Sequence, residues 1–400
     1  MKLFLIFFLF LSILLPEENK KISINIYDYD KPEWWSKFNN NGLNFTQSNI
    51  SFSYKNTFDN YELLINTHIS NEKIIVGESY ISLSVVDIYK IKFGRYYRDF
   101  STYLNNNLSS GSMLIGINAL PIPKIGLLAE NQIKKYSKFK FTYGLAHSIL
   151  DKNDIYNKSP YIHEKFVYLI KNDNNYEYGF GFVHEAMWGG STYLNGEFPS
   201  SFNDFLKVII SADGDKVDGQ PHANAIGNHL GIWDFYFIKK NKSDILKFYY
   251  QHFFEDTSGL RFANRLDGLW GFEYLDSSSG FNFLVEYLNT SNQDRDPPYV
   301  RENYYNHDEY TLGWSYKGYV IGNPFINNIN NNPSKVIHAG ISNNDLSNYK
   351  FKILLSKRVD TSNTLMYSVS IGKVFENFTT SFFINGMKSE NIGLRILYDI

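Results

Sequence analysis

Runs of about ten residues in which apolar and polar side chains alternate constrain this chain more than any other feature, because they recur from near one end to the other. Tyr61, Leu63, Ile65, Thr67 and Ile69 alternate with Glu62, Leu64, Asn66 and His68. Phe139, Phe141, Tyr143 and Leu145 alternate with Lys138, Lys140, Thr142 and Gly144. The same holds for Leu365 to Ile371 and for Ile392 to Ile400. A period of two sends successive side chains to opposite faces of a strand, whereas a helical face repeats every 3.6 residues. Runs of ~9–12 residues match a tilted strand that crosses a membrane. Strands of soluble sandwiches are more often ~5–6 residues long.

Tight polar turns join neighbouring runs at Asp59-Asn60, Asp173-Asn174-Asn175, Lys240-Asn241-Lys242-Ser243 and Ser277-Ser278-Ser279-Gly280. Antiparallel neighbours joined this way form a meander. Between them lie longer segments rich in Asn, Ser, Asp and Gly, over 98–111, 150–160, 188–227, 256–265, 290–308 and 323–334. Short turns alternating with long loops are the pattern of an outer-membrane barrel. The predicted fold is all-β: a transmembrane antiparallel β-barrel of about 18 strands with long external loops, one loop carrying a short helix. That helix is expected over 201–211, with Phe202, Phe205, Leu206 and Ile209 on one face, folded into or over the lumen or else lying on the surface.

The ends of the chain define its other segments. Met1-Lys2 is followed by an apolar stretch from Leu3 to Leu15, and Pro16-Glu17-Glu18 ends it. This has the form of a secretory signal peptide over 1–16 and is too short to span a bilayer as a helix. Residues 17–43 read as an N-terminal leader segment and 44–400 as the barrel, reached by export to the outer membrane. The chain has no Cys, which excludes disulfides, thiol catalysis and Cys-ligated zinc. Its 39 basic and 41 acidic residues are scattered, so no nucleic-acid footprint is present. Phe and Tyr, at 33 and 31 residues, suit strands, membrane interfaces and contacts with sugars.

Motifs of catalysis are absent. His184-Glu185 lacks the second His of a zinc-binding H-E-x-x-H, and no G-x-S-x-G or P-loop stands out. Carboxylates such as Glu255, Asp256, Asp294, Asp296 and Glu302 sit in loop sequence, where solvation explains them. Aromatic residues beside Asn, Asp, Arg and His are more informative: Trp188, Tyr193, Trp233, Trp270, Tyr304, Tyr305 and Trp314. They suit either an aromatic girdle or stacking on sugar rings.

Several segments, in order, resemble the Wzi family of outer-membrane capsule assembly and attachment proteins. These are Phe93-Gly94-Arg95-Tyr96 with Leu114 to Pro123, His184 to Gly190, and Asn224 to Gly231 with Trp233-Asp234. Tyr249-Tyr250-Gln251-His252 with Glu255-Asp256, and Tyr305-Asn306-His307 through Gly313-Trp314 to Ile321-Gly322-Asn323-Pro324, complete the set. The resemblance implies an 18-stranded barrel that binds surface polysaccharide and holds it on the cell. Residues 17–43 are too short for the periplasmic helical bundle that some members carry. The expected function is assembly or retention of a capsule or exopolysaccharide, by a monomer in outer-membrane lipid, without catalysis, metal or cofactor. Trp188, His229, Glu255, Asp256, Tyr305 and His307 are the candidate polysaccharide contacts. A porin-like channel, an outer-membrane enzyme acting on lipid or glycan, and a soluble β-sandwich lectin are the alternatives.

Overall fold

A computed structural model describes residues 20–71, 73–86, 88–132, 138–212, 214, 225–255, 257–292, 304–330, 332–343, 348–360 and 364–399. The signal peptide expected over 1–16 lies outside them. Eighteen antiparallel strands form a closed wall. They are β1 (Lys20–Asp28), β2 (Asn49–Thr57), β3 (Tyr61–Ile69), β4 (Ser79–Val86), β5 (Tyr89–Arg95) and β6 (Pro123–Gln132). Next come β7 (Phe139–Ile149), β8 (Tyr161–Asp173), β9 (Tyr176–Trp188), β10 (Asn228–Lys240), β11 (Asp244–Phe254) and β12 (Gly268–Asp276). The last six are β13 (Phe281–Asn289), β14 (Lys335–Asn343), β15 (Tyr349–Arg358), β16 (Leu365–Val374), β17 (Phe378–Gly386) and β18 (Glu390–Asp399). A short run, Ile74–Val76, also pairs on β3.

Each strand pairs with its sequence neighbours, and β1 pairs with β18, Lys21 lying opposite Asp399 and Asp28 opposite Ile392. Closure leaves no unpaired edge, the condition for a sheet to stand in hydrocarbon. The expected boundary at residue 44 therefore does not separate leader from wall: Lys20–Asp28, inside the expected 17–43 leader, is the closing strand. The reason is visible in its side chains. Ile24 and Ile26 are exposed on the outer face, while Asn25 is buried and bonds Asn49 of β2 inside.

Alternation sorts the wall. On β7, Phe139, Phe141, Tyr143, Leu145 and Ile149 are exposed outward, while Thr142, Ala146 and Ser148 are buried inward. Exposed Ile, Leu, Val and Phe continue round the barrel as the apolar belt that meets lipid tails. The four tight turns named above all join strands at the end that also carries Lys20 and Asp399. Stacked ring pairs flank turns at that end, Phe58 on Tyr61 at 4.3 Å and Phe375 on Phe378 at 4.6 Å.

The long loops leave from the opposite end, and not all of them point outward. Residues 96–122 and 304–334 turn into the lumen and pack there against the wall. The lumen was expected to be filled, if at all, by 188–227. That loop instead carries helix α1 (Phe202–Ile210) on the outside of the barrel. Phe205 stacks on Trp188 at 5.4 Å and meets His147 and His163, which share the outward register of exposed Leu145 and Ile149. Ser201 caps the helix in a reciprocal capping box with Asp204. Of the expected apolar face, Phe202 and Leu206 are exposed with Ile210, and the wall receives Phe205 and Val208. Gly189 and Gly190 direct the chain outward, with φ of 62° and 80°. A Cβ on Gly190 would lie 2.8 Å from the Pro160 nitrogen.

Candidate functional site

Residues 96–122 have no regular secondary structure, so their backbone groups need other partners. The inward polar side chains of the wall supply them. Gln251 Oε1 on β11 accepts from the Met113 amide at 3.0 Å. Glu286 on β13 accepts from Ser109 Oγ at 2.6 Å, the Ser110 amide at 2.7 Å and Tyr249 Oη at 2.5 Å. Lys247 donates to the Tyr103 carbonyl at 2.6 Å, and His338 Nε2 to that of Leu108 at 2.6 Å. Asp234 on β10 accepts from Ser101 Oγ and Tyr168 Oη, both at 2.5 Å. Each bond is to a charged group or to a buried backbone group, the kind that costs most to leave unmade.

The 304–334 loop closes over this one. Trp314 Nε1 donates to the Leu114 carbonyl at 2.9 Å, and Asn118 Nδ2 to that of Val320 at 2.9 Å. Asn323 Nδ2 reaches the Gly111 carbonyl at 2.9 Å. Gly322 sits at the crossing, where a Cβ would lie 2.2 Å from Tyr305 Oη and 2.5 Å from the Met113 carbonyl. Arg95 donates to the Pro121 carbonyl at 3.0 Å, tying the loop to the wall where it enters. The segments 114–123, 305–314 and 321–324, picked out separately in the sequence, thus meet as one plug.

Above the plug, the loops form an exposed surface. The tip Tyr193 to Glu197 projects, with Tyr193 74% exposed. Lys152, Asn153, Asp154 and Asn157 are exposed on the adjoining 150–160 loop, and Ser191 there pairs with Lys158. Asn195 Nδ2 donates to the Glu309 carbonyl at 3.5 Å, linking the tip to the 304–334 loop. Tyr310 Oη donates to the Gly189 carbonyl at 3.2 Å beneath it. An exposed ring among amides and carboxylates can stack on a sugar and hydrogen-bond its hydroxyls.

The six candidate contacts disperse. His307 lies at this surface, half-buried, and its Nδ1 accepts from the Glu309 and Tyr310 amides at 3.2 and 3.3 Å. Burial holds its imidazole below the usual value, against the pull of Asp308, in keeping with that acceptor role. Glu255 is half-buried directly after β11, and Asp256 lies outside the described residues. Trp188, His229 and Tyr305 are corrected. Tyr305 is fully buried and donates to the Met113 carbonyl within the plug. Trp188 and His229 are buried on the outer wall beside α1. Burial puts all three out of reach of a polymer at the surface. The exposed Tyr193 ring had been noted among the aromatics, but a sequence does not say which rings a loop turns outward.

The outer wall also brings Ser211 Oγ within 3.0 Å of His184 Nε2, a distance that suits a nucleophile and its base. The hydrogen bonds assign the protons otherwise. His229 Nε2 faces the Ile226 carbonyl at 2.9 Å, so it carries the hydrogen. Its Nδ1 is then the acceptor, and His184 Nε2, 3.0 Å away, must be its donor. Ser211 therefore faces an N–H rather than a base, and His184 Nδ1 is buried without a partner to orient the ring.

Comparison with known proteins adds a family. A family model described as capsule assembly protein Wzi matches residues 34–339. None of the curated proteins compared with the chain matches it. Among solved structures, a mutant porin of Rh. blastica is similar at 8% identity and a TM-score of 0.37, covering 95% of this chain and 98% of its own. Pseudomonas aeruginosa OpdQ is similar at 8% identity and a TM-score of 0.41, covering 94% of each chain.

Proposed function

The chain belongs to the Wzi capsule assembly family, and from that premise we propose that this outer-membrane barrel holds capsular or exopolysaccharide on the cell surface. The observation that carries the reading is the plug. Two loops, joined by the segment after β1 around Trp34 and Asn39, occupy much of the lumen and are bonded to the wall at many points, which suits a rigid platform better than an open pore. The platform presents Tyr193, Asn195 and the 150–160 and 304–310 loops to the outside. A long polymer touching several such loops gains avidity that no single contact supplies. The protein acts as a monomer in outer-membrane lipid, and its work is to hold, with no bond made or broken.

The test is binding of the cell's own purified polysaccharide to the detergent-solubilised protein. Tyr193→Ala is expected to weaken it by about two- to tenfold, since one aromatic contact is worth ~0.5–1.5 kcal/mol. Unchanged binding in Tyr193→Ala, with Asn195 and His307 also replaced by Ala, would sink the external surface as the contact.

A further inference from the structure

The lumen is divided by charge. On β8, β10, β12 and β13 the inward carboxylates Glu164, Asp234, Glu273 and Glu286 have partners, whereas Glu185 on β9, opposite Glu164, is buried with neither oxygen bonded. Lys124 holds Glu164 at 2.8 Å and Lys247 holds Glu273 at 2.5 Å. Plug hydroxyls and amides occupy Asp234 and Glu286. The opposite wall, β1–β3 and β15–β18, is not covered by the plug in this way.

Two adjoining cavities remain there, of about 290 and 260 Å³. They share Tyr27, Asn40, Asn41 and Arg395. The first is lined by Asn and Ser, by the rings of Tyr29, Trp35 and Phe383, and by Lys352, with no carboxylate. The second extends to Lys21 and Leu397, near the wall end where the strands begin and finish, and Glu78 is the one acid on it among the described residues. Lys352 has no hydrogen-bond or ion-pair partner among the described residues. Arg395 spends one bond on Asn25 Oδ1, at 2.7 Å, and is otherwise turned to the cavity.

Five buried polar atoms on the same lining lack partners: Trp35 Nε1, Asn39 Oδ1, Asn49 Nδ2, Asn66 Oδ1 and Asn385 Oδ1. Such atoms are ordinarily satisfied by protein, water or ligand. Donors and acceptors are mixed, rings stand beside them, and the charge is positive. That combination suits hydroxyls, a pyranose face and a carboxylate together.

We propose that these two cavities form a binding site for a carboxylate-bearing saccharide segment, held between Lys352 and Arg395 and against the rings of Tyr27 and Trp35. The inference rests on the reading that the protein handles surface polysaccharide, and it names the charge of the segment taken inside.

The test uses the full chain, purified in detergent, and calorimetric titration with trigalacturonate, maltotriose and inorganic phosphate. Trigalacturonate should bind at least about tenfold more tightly than maltotriose, the discrimination of one charge-assisted contact. The double variant Lys352→Gln/Arg395→Gln should lose about tenfold or more for trigalacturonate and little for maltotriose. Ser370→Trp, which fills the first cavity without changing charge, should abolish binding of both, with folding of each variant checked by its heat-modifiable gel migration. Equal binding of the two trisaccharides, or binding that survives Ser370→Trp, would overturn the site. So would phosphate competing as tightly as trigalacturonate, which would mark a bare anion site. If no saccharide binds here but cells still need the protein to retain polymer, the lumen site falls and the retention reading stands. If cells lacking the protein retain polymer normally, that reading falls as well.

Discussion

Glu286 shows how single side chains shape this lumen. Its carboxylate accepts from Ser109, Ser110 and Tyr249 at once, while only 1% exposed. Glu286→Ala would strand three donors, each costing ~1–3 kcal/mol when buried without a partner. A loss of about 3 kcal/mol or more in unfolding free energy in urea is expected, and Glu286→Gln should lose less because it keeps an acceptor. A loss below about 1 kcal/mol would mean the plug does not depend on this anchor. Glu33 acts outside the wall, where it joins the segment after β1 to the loop between β17 and β18. Burial works to raise its carboxyl, but the Ser389 and Lys388 amides, at 3.0 and 2.9 Å, together with the Ser389 hydroxyl and the charge of Lys31, hold the group below its usual value. A lowered carboxyl contributes stability that is present above its unfolded value and is lost as pH falls through the folded one. Followed by NMR, the Glu33 side chain should titrate below the value of an unperturbed Glu. Titration at or above that value would remove the tether.

Helix α1 is the element whose place the sequence could not settle. Its apolar residues announced a helix over 201–211, and Phe202–Ile210 forms one. Amphipathicity gives a face but not its partner, and Phe202 and Leu206 turned to the outside while Val208 faced the wall. Val208→Asp would bury a charge beneath the helix, so limited proteolysis should cut the 199–212 region faster while the barrel stays intact. An unchanged cleavage rate would mean the helix is not held by that contact. Strands were legible wherever outward Ile, Leu, Phe and Tyr alternated with inward Ser, Thr and Asn, because lipid on one side and lumen on the other enforce a strict period of two. Lys20–Asp28 follows the same rule but lies inside the 17–43 segment, which was read as a leader because it follows the signal-like stretch. The plug was not legible, since its partners come from strands far away in sequence: Met113 needs Gln251, and Leu108 needs His338. For the same reason Trp188, His229 and Tyr305 looked like loop contacts and proved to be packing. His307 stayed near the surface because its own neighbours, Glu309 and Tyr310, hold it there.

As a whole molecule, the barrel is a closed wall whose acidic side is occupied by its own loops and whose opposite side keeps two polar cavities. A wall so plugged should pass little steady current in planar bilayers. Removing two anchors together, in Gln251→Ala/Glu286→Ala, should raise conductance as residues 96–122 loosen. A large, stable conductance in the unmodified protein would favour a channel. The proposal that the platform exists to retain polymer is tested by cells lacking this protein, compared with their parent for bound and released polysaccharide. Total polymer is expected to stay unchanged while its greater part moves into the medium, and the restored protein should return it to the cell. Polymer that stays bound in normal amount would contradict that proposal.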